Sequence, residues 1–561
     1  MEEKIRSVIK TLFDREVEVT VTRPDAQFGD YATNVALQLA RPLGRNPREV
    51  AEELAEKLRK MDEFSEVNVA GPGFINLRVP AHRLFTLLNA NWNDRYGENK
   101  DGAGKTVIVE YPSHNMAKPY SVGHLRPGNQ GWAAKRLMEA TGWKVITDNH
   151  LGDYGAPFGV WVVGFLKFSS DERLEKDGVY ELGRVYIATK KALKEEKERG
   201  ETQLAHEVQN WLLKLEAGDE EAMSFSRRFN KISLDHIHEI MNRLKISTDY
   251  ELGEAFFAPK GKAAIQMLIE RGIAKQNEDG SVIVPLESEG FDVPMLVQKS
   301  NGAALYATTD IATILYREEK WHPDRVIYAV DGAQQFHFAQ LFALAKKIGI
   351  QTELIHLWFG TIDQLNEDGT REKMSSRKGV VLMEELLDTA EAKARDIVEG
   401  RDVSSDDIKK IALGAIKFSD FAADRRTNIL FDWKNIFALT GFSGPYIQYA
   451  AVRVNKIVKD NLRPQVTTID YNYQPEKNIL MKLLDYPQVI RLAARDLEPH
   501  KIATYLYELA REMNRYYEQT PVAHVEVSDV EKAARLDVLQ KVSQVFTHGL
   551  SLLGIEVPER M

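Results

Sequence analysis

The sequence predicts a multidomain α/β protein centred on a doubly wound parallel sheet. Three patterns carry that expectation. First, near-continuous apolar runs that end in polar residues, "TVIVEY" from Thr106 and "WKVITDNHLGDYG" from Trp143, enclose the helical stretch "GWAAKRLMEATG". Strands buried on both faces read this way, and strand, helix, strand is the βαβ unit of a parallel sheet. Second, "DRVIYAVDGAQQFHFAQLFALAKKIGI" repeats the theme near residues 324–350. Third, the chain after about residue 395 changes to apolar residues at three- and four-residue spacing, the signature of packed helices.

Taken in order, residues 1–98 form a small α+β domain. "MEEKIRSVIKTLFD" is charged and amphipathic and lacks the apolar core of a secretory signal. "PREVAEELAEKLRKMDEF" reads as a helix with Pro47 near its start, while "VEVTVT" and "VNVAGPGFINLRV" alternate as half-buried strands do. "WNDRYGENKDGAGK" is a polar, Gly-rich boundary. Residues 99–395 form the α/β domain. Gly142 closes its first helix, "ELIHLWFGTI" adds a strand, and about 160–295 is an insertion of charged helices whose charge runs read as solvated faces. Residues 396–561, from "DIKKIALGAIKFSDF" to "KAARLDVLQKVSQVFTHGLSLLG", form an all-α bundle.

Composition narrows the chemistry. The chain has 561 residues and no cysteine, which excludes disulfides, thiol nucleophiles and cysteine-based zinc sites. Any metal must use oxygen or imidazole ligands or arrive with a substrate. No run of about 18 apolar residues occurs, so no membrane span and a cytoplasmic location are expected. The net charge of −9 argues against a non-specific nucleic-acid coater. A local basic stripe can still bind RNA, because screening confines fields to about 10 Å.

The polar chemistry crowds at one strand-to-helix junction, "VIVEYPSHNMAKPYSVGHLRPG", which holds Glu110, Asn115, Lys118, His124 and Arg126. Ligands of open parallel sheets bind beyond the carboxyl ends of the strands. A helix starting near Val122 or Gly123 aims free N–H groups and a positive dipole end there, and Gly123 lets the backbone approach a phosphate. A second cluster, "REKMSSRKGVV", supplies Arg371, Lys373, Arg377 and Lys378 in a Ser/Gly loop suited to clamping a polyphosphate. Each cluster alone also fits a solvated basic loop.

Together they are specific. "GH" after "AKPYSV" and the later "KMSSRKG" resemble the two signature motifs of class I aminoacyl-tRNA synthetases. "NMAKPYSVGHLR", "HLGDYGAPFG", "SNGAALYATTDIA", "GAQQFHF", "KMSSRKGVV" and "GPYIQYAAVRV" resemble, in order, the arginyl-tRNA synthetase family. "FGDYATNVALQLA" and "GPGFINLRV" look like that family's N-terminal domain, and "VPERM" like its terminus. The resemblance implies a Rossmann-like catalytic domain, an N-terminal additional domain and a C-terminal anticodon-binding bundle. It also implies arginine–tRNA ligation with ATP as substrate, Mg²⁺ accompanying ATP, no zinc, and a monomer that binds tRNA(Arg).

The same resemblance assigns residues. Lys118, Ser121, Gly123, His124, Lys373, Ser375 and Lys378 would meet ATP, with Lys118, Ser121, His124, Lys373 and Lys378 acting in catalysis. Glu110, Asn115, Tyr306, Asp310 and Gln334 would hold arginine. Asp310 faces the guanidinium, because a planar cation wants a bidentate carboxylate, and Tyr306 lies four residues away on the same face of a helix. Phe74, Asn76, Tyr446, Gln448, Tyr449 and Arg453 would touch tRNA, with Tyr449 also readable as a core residue. The departures are Ser121 where the family's first motif usually has histidine, Ser376 where lysine or threonine is usual, Asn301 where aspartate is common and Pro157 where glutamine is common. A synthetase-like RNA-binding protein without charging activity is the alternative reading.

Overall fold

A computed structural model describes residues 1–25, 27–155, 157–300, 305–365, 370–374, 381–461, 474–519 and 528–561. Ser375, Ser376, Lys378 and Asn301 lie outside the described residues. The chain divides into two compact units: 1–96 with 454–486 and 509–545, and 97–453 with 487–508 and 546–561. The helical C-terminal region is therefore shared between the two units.

In the first unit, β1 (Tyr31–Thr33), β2 (Glu66–Ala70) and β3 (Phe74–Arg78) form an antiparallel sheet in the order β1-β3-β2. The helix predicted at Pro47 spans Pro47–Leu58, and the Asn46 side chain caps it by accepting from Arg48 N–H. The expected strand "VEVTVT" is reduced to a single bridge between Thr22 and Ala32. Thr22 meets the open edge of β1 at that one point, and alternation alone does not extend the ladder. This unit is fastened to its own C-terminal helices. Lys477 pairs with Asp30 at 2.6 Å, Arg23 with Asp485 at 2.7 Å, and Tyr96 Oη donates to the Leu483 carbonyl at 2.9 Å.

The second unit contains the doubly wound core. β4 (Thr106–Glu110) and β5 (Lys144–Asp148) are parallel neighbours joined by the Leu125–Ala140 helix. Gly142 ends that crossover with φ +84°, a left-handed conformation that suits glycine. The inserted helices occupy Asp171–Glu198, Gln203–Glu216, Glu220–Arg243 and Glu254–Glu270. A small antiparallel sheet not anticipated from sequence follows, made of β6 (Lys275–Gln276), β7 (Val282–Val284) and β8 (Met295–Gln298). β9 (Arg325–Tyr328) and β10 (Glu353–His356) complete the parallel sheet, in the order β10-β9-β4-β5. A second small sheet adds β11 (Ile362–Leu365), β12 (Arg371–Lys373) and β13 (Ile429–Leu430). Val107, Ile108, Val109 and Ile327 are fully buried, which is why these strands read as unbroken apolar runs.

β4 is the switch strand: the chain moves from it to β5 on one side and later returns through β9 on the other. Register sets Glu110 beside Asp148 and Tyr328, so three polar side chains stand abreast at the carboxyl ends of adjacent strands. A doubly wound sheet opens its ligand crevice at this edge.

Candidate active site

The segment from Tyr111 to Ser121 crosses this edge in a tight loop. Ser113 and Ala117 both take left-handed φ, +56° and +52°, although neither is glycine. Ala117 N–H is held by Ser233 Oγ at 2.9 Å and Met116 N–H by the Gly152 carbonyl at 3.2 Å, so the surroundings hold the unusual backbone. A short 3₁₀ turn, Val122–His124, then starts the Leu125–Ala140 helix. The predicted helix start is therefore correct.

The two signature segments converge. Val122 N–H donates to the Val381 carbonyl at 3.0 Å and Met383 N–H to the Tyr120 carbonyl at 2.9 Å. This splices the first motif to the residues that leave the second. Val122, Gly123 and Arg126 share a crevice with Asp331, Phe359–Ile362, Lys373 and Met374. Lys373 reaches Asp331 at 3.4 Å across it. Lys118 and Gly123 are exposed at this edge. The Ser121 hydroxyl lies 3.2 Å from His124 Nδ1, and burial pulls the His124 imidazole down to about 4, so it is neutral at pH 7.

Arg126 has a different role from its neighbours. It is buried, and its guanidinium bonds Asp420 at 2.9 Å and the carbonyls of Gly360, Thr427 and Arg425 at 2.8–3.0 Å. It ties the first motif to the crevice wall.

The amino-acid side of the edge holds two acidic groupings. In one, Glu110 is buried and pairs with Arg317 Nη2 at 2.7 Å, while the same nitrogen meets Asp148 at 2.8 Å. Burial opposes the Arg317 charge, but Glu110 and Asp148 outweigh it and hold the guanidinium above its ordinary value. Glu110 is expected from the family resemblance to hold arginine; the structure gives its carboxylate a cation from within the chain. Sequence spacing could not show this, because Arg317 lies 207 positions away on another element.

In the other grouping, Asp310 and Tyr306 lie on the Tyr306–Trp321 helix, four apart as expected. Asp310 Oδ2 sits 2.6 Å from His337 Nε2. Tyr306 is 69% exposed, so it is not an ordinary core aromatic. Glu254, at the first position of the Glu254–Glu270 helix, joins them. Burial, then the charges of Asp310 and Asp153, push its carboxyl up to about 8. Gly253 makes this helix start possible, since a Cβ there would lie 2.4 Å from an Asp153 oxygen. Among the described residues no lysine or arginine pairs with Asp310 or Glu254. Sequence reasoning missed Glu254, His337 and Arg317. No local pattern marks Glu254 among 83 acidic residues. Asn115, bridged to Gly152, and Gln334, just beyond β9, are both exposed at the same edge.

The RNA candidates separate by burial. Phe74 and Tyr449 are exposed, at 42% and 40%. Asn76 is buried within β3. Gln448 is fully buried, and its amide donates to the carbonyls of Lys410 and Glu556 at 3.0 and 2.9 Å. Its amide holds the C-terminal tail against the Gly444–Asp460 helix, which corrects the expectation that it meets tRNA. Tyr446 and Arg453 are half-buried on that helix.

Among the described residues one three-residue cluster has metal-ligand geometry, Asp424, Glu498 and His500. Arg426 already pairs with both carboxylates and Lys501 with Glu498, so their charge is compensated from within the chain.

Comparison with known proteins gives this geometry a class. Residues 86–433 match the family model for the catalytic domain of "tRNA synthetases class I (R)". The parallel sheet with both signature segments on one crevice is thus a class I synthetase catalytic domain. Residues 1–79 match the arginyl-tRNA synthetase N-terminal domain, and 447–561 the DALR anticodon-binding domain. The chain is 32% identical to an arginine–tRNA ligase of Idiomarina loihiensis, with 98% of this chain and 96% of the relative covered. It is 33% identical to one of Shewanella oneidensis, covering 100% and 97%. Its fold matches the Thermus thermophilus arginyl-tRNA synthetase structure with a TM-score of 0.80 at 24% identity, covering 100% and 99%. The chain belongs to the arginyl-tRNA synthetase family.

Proposed function

We infer that this chain attaches L-arginine to tRNA(Arg) in two steps. The arginine carboxylate attacks the α-phosphate of ATP, forming arginyl-adenylate and releasing pyrophosphate. A terminal ribose hydroxyl of the tRNA then takes the arginyl group and AMP leaves. The observation that carries the reading is the meeting of both signature segments at one crevice, on a sheet edge whose carboxylates Asp310 and Glu254 pair with no lysine or arginine among the described residues.

Neither step needs an enzyme nucleophile, so positioning and charge stabilisation supply the rate. Asp310 and Glu254 receive the guanidinium, and Tyr306 lies along the side chain. Asn115 and Gln334 hold the backbone end of arginine. The helix start at exposed Gly123, with its positive dipole end, faces the phosphates, with Lys118 and Lys373 flanking them. Lys378 and Ser375 belong to the same loop by the family motif. ATP enters as its Mg²⁺ complex. In the tRNA-binding domains, Phe74 and Tyr449 are the exposed stacking candidates, with Tyr446 and Arg453 beside the latter. Action as a monomer in the cytoplasm belongs to the same reading.

The test is ATP–pyrophosphate exchange with each amino acid in the presence of tRNA, followed by charging. Exchange with arginine and not lysine supports the reading. Arginine-dependent exchange without charging of any tRNA would favour the synthetase-like alternative.

A further inference from the structure

The family's first signature usually begins with histidine, and this chain has Ser121 there. The structure places a different histidine at the missing position's neighbour. His114 lies seven residues earlier, in the loop that leaves β4, where no motif drew attention to it. Its ring centroid is 4.5 Å from that of His124 and 4.0 Å from that of Tyr120. His114 is 2% exposed, and neither ring nitrogen has a hydrogen-bond partner among the described residues. Buried unsatisfied nitrogens in a native core call for an explanation. His114 has its backbone fixed as well, since its carbonyl accepts from Gly152 N–H at 2.7 Å.

We propose that His114 replaces the absent histidine of the first signature, as a positioning residue that sets the His124 imidazole for ATP during activation. This rests on the functional reading above. Ser121 is too short to fill the space of an imidazole, and its hydroxyl meets the edge of the His124 ring. His114 restores the paired imidazoles from the other end of the loop. Burial, then His124 and His236, hold the His114 pKa well below its ordinary value, so His114 sits beside His124 as a neutral donor–acceptor ring. The groups that face it are Tyr120, His124 and His236, with Tyr120 N–H bonded to His236 Nε2 at 3.2 Å and Lys118 acting on His124.

The test uses the full chain. His114→Phe keeps an aromatic ring and removes both nitrogens; His114→Asn keeps a donor and an acceptor in a smaller side chain. Exchange with arginine and tRNA should fall roughly tenfold or more in His114→Phe through kcat or the ATP KM, leave the arginine KM in place, and fall less in His114→Asn. Adding Ser121→His should recover more activity in the His114→Phe background than it gives in the native one. A purely packing role gives a lowered melting temperature and no recovery by Ser121→His, which overturns the proposal, as does native exchange in His114→Phe. ATP affinity by calorimetry is read on the same proteins. A native chain that binds ATP but exchanges with no amino acid sinks the functional reading, while the ATP affinity of His114→Phe still reports on the histidine pair.

Discussion

Two acidic groupings share one edge of the sheet, and they have opposite fates. Glu110 and Asp148 are buried and closed by Arg317 at 2.7 and 2.8 Å. Among the described residues, Asp310 has His337 at 2.6 Å, and burial with like charge pushes Glu254 up to about 8. The first grouping is architecture, because a buried charge pair that is satisfied internally offers nothing to a ligand. The second is strained toward a cation from outside. Chemically the two sets are alike. Whether a carboxylate is closed from within the chain decides which one can recognise the substrate's guanidinium.

The largest effect should come from opening the second grouping. Asp310→Ala is expected to lower kcat/KM for arginine by about 10²–10³-fold in tRNA-dependent exchange. Native-like exchange in that variant removes Asp310 from the pocket. Opening the first grouping should act on the fold. Arg317→Met leaves Glu110 and Asp148 buried without their cation and is expected to cost about 3–5 kcal/mol in urea or thermal unfolding. A variant as stable as the native chain makes the comparison wrong, since Glu110 would not need its partner.

A smaller effect separates the members of the open grouping. Glu254→Gln should weaken arginine binding roughly tenfold to hundredfold. The native enzyme should bind arginine more tightly as pH rises toward 8, because the guanidinium needs the ionised carboxylate; a flat profile excludes Glu254 from the contact. The stability sign runs the other way. A carboxyl raised in the folded state contributes stability that is present below about 4.5 and lost as pH rises through about 8. Glu254→Gln should therefore be more stable than the native chain at pH 8 and above, relative to the two at low pH. Differential scanning across pH 4–9 reads the crossover.

The smallest effect tests the same rule on one helix of the RNA-binding region. Gln448 is spent on two carbonyls, while its neighbour Tyr449 is 40% exposed. Tyr449→Ala should raise the tRNA KM roughly tenfold with little change in melting temperature, in line with the loss of one stacked base. Gln448→Ala should do the reverse.

The sequence made some features legible because local pattern and buried surface coincide. The runs at Val107 and Val326 are unbroken because both faces of β4 and β9 are covered. Gly142 and Pro47 marked real helix ends, and the Tyr306–Asp310 spacing put both on one helix. Period-two alternation overstated "VEVTVT", which meets the open edge of β1 only at the Thr22–Ala32 bridge. The small sheets of β6–β8 and β11–β13 were missed because strands of two to four residues are too short to show a period.

By itself, the sequence determined the class of fold, the family and the two signature segments, because those depend on type, order and short-range spacing. Only the tertiary structure decided which charges are spent. Arg317 meets Glu110 from 207 positions away, Glu254 reaches the acidic pocket from the inserted helices, and His114 packs against His124 across a loop. Pairing in three dimensions is set by how elements pack, and no local periodicity encodes which side chain a packed neighbour brings.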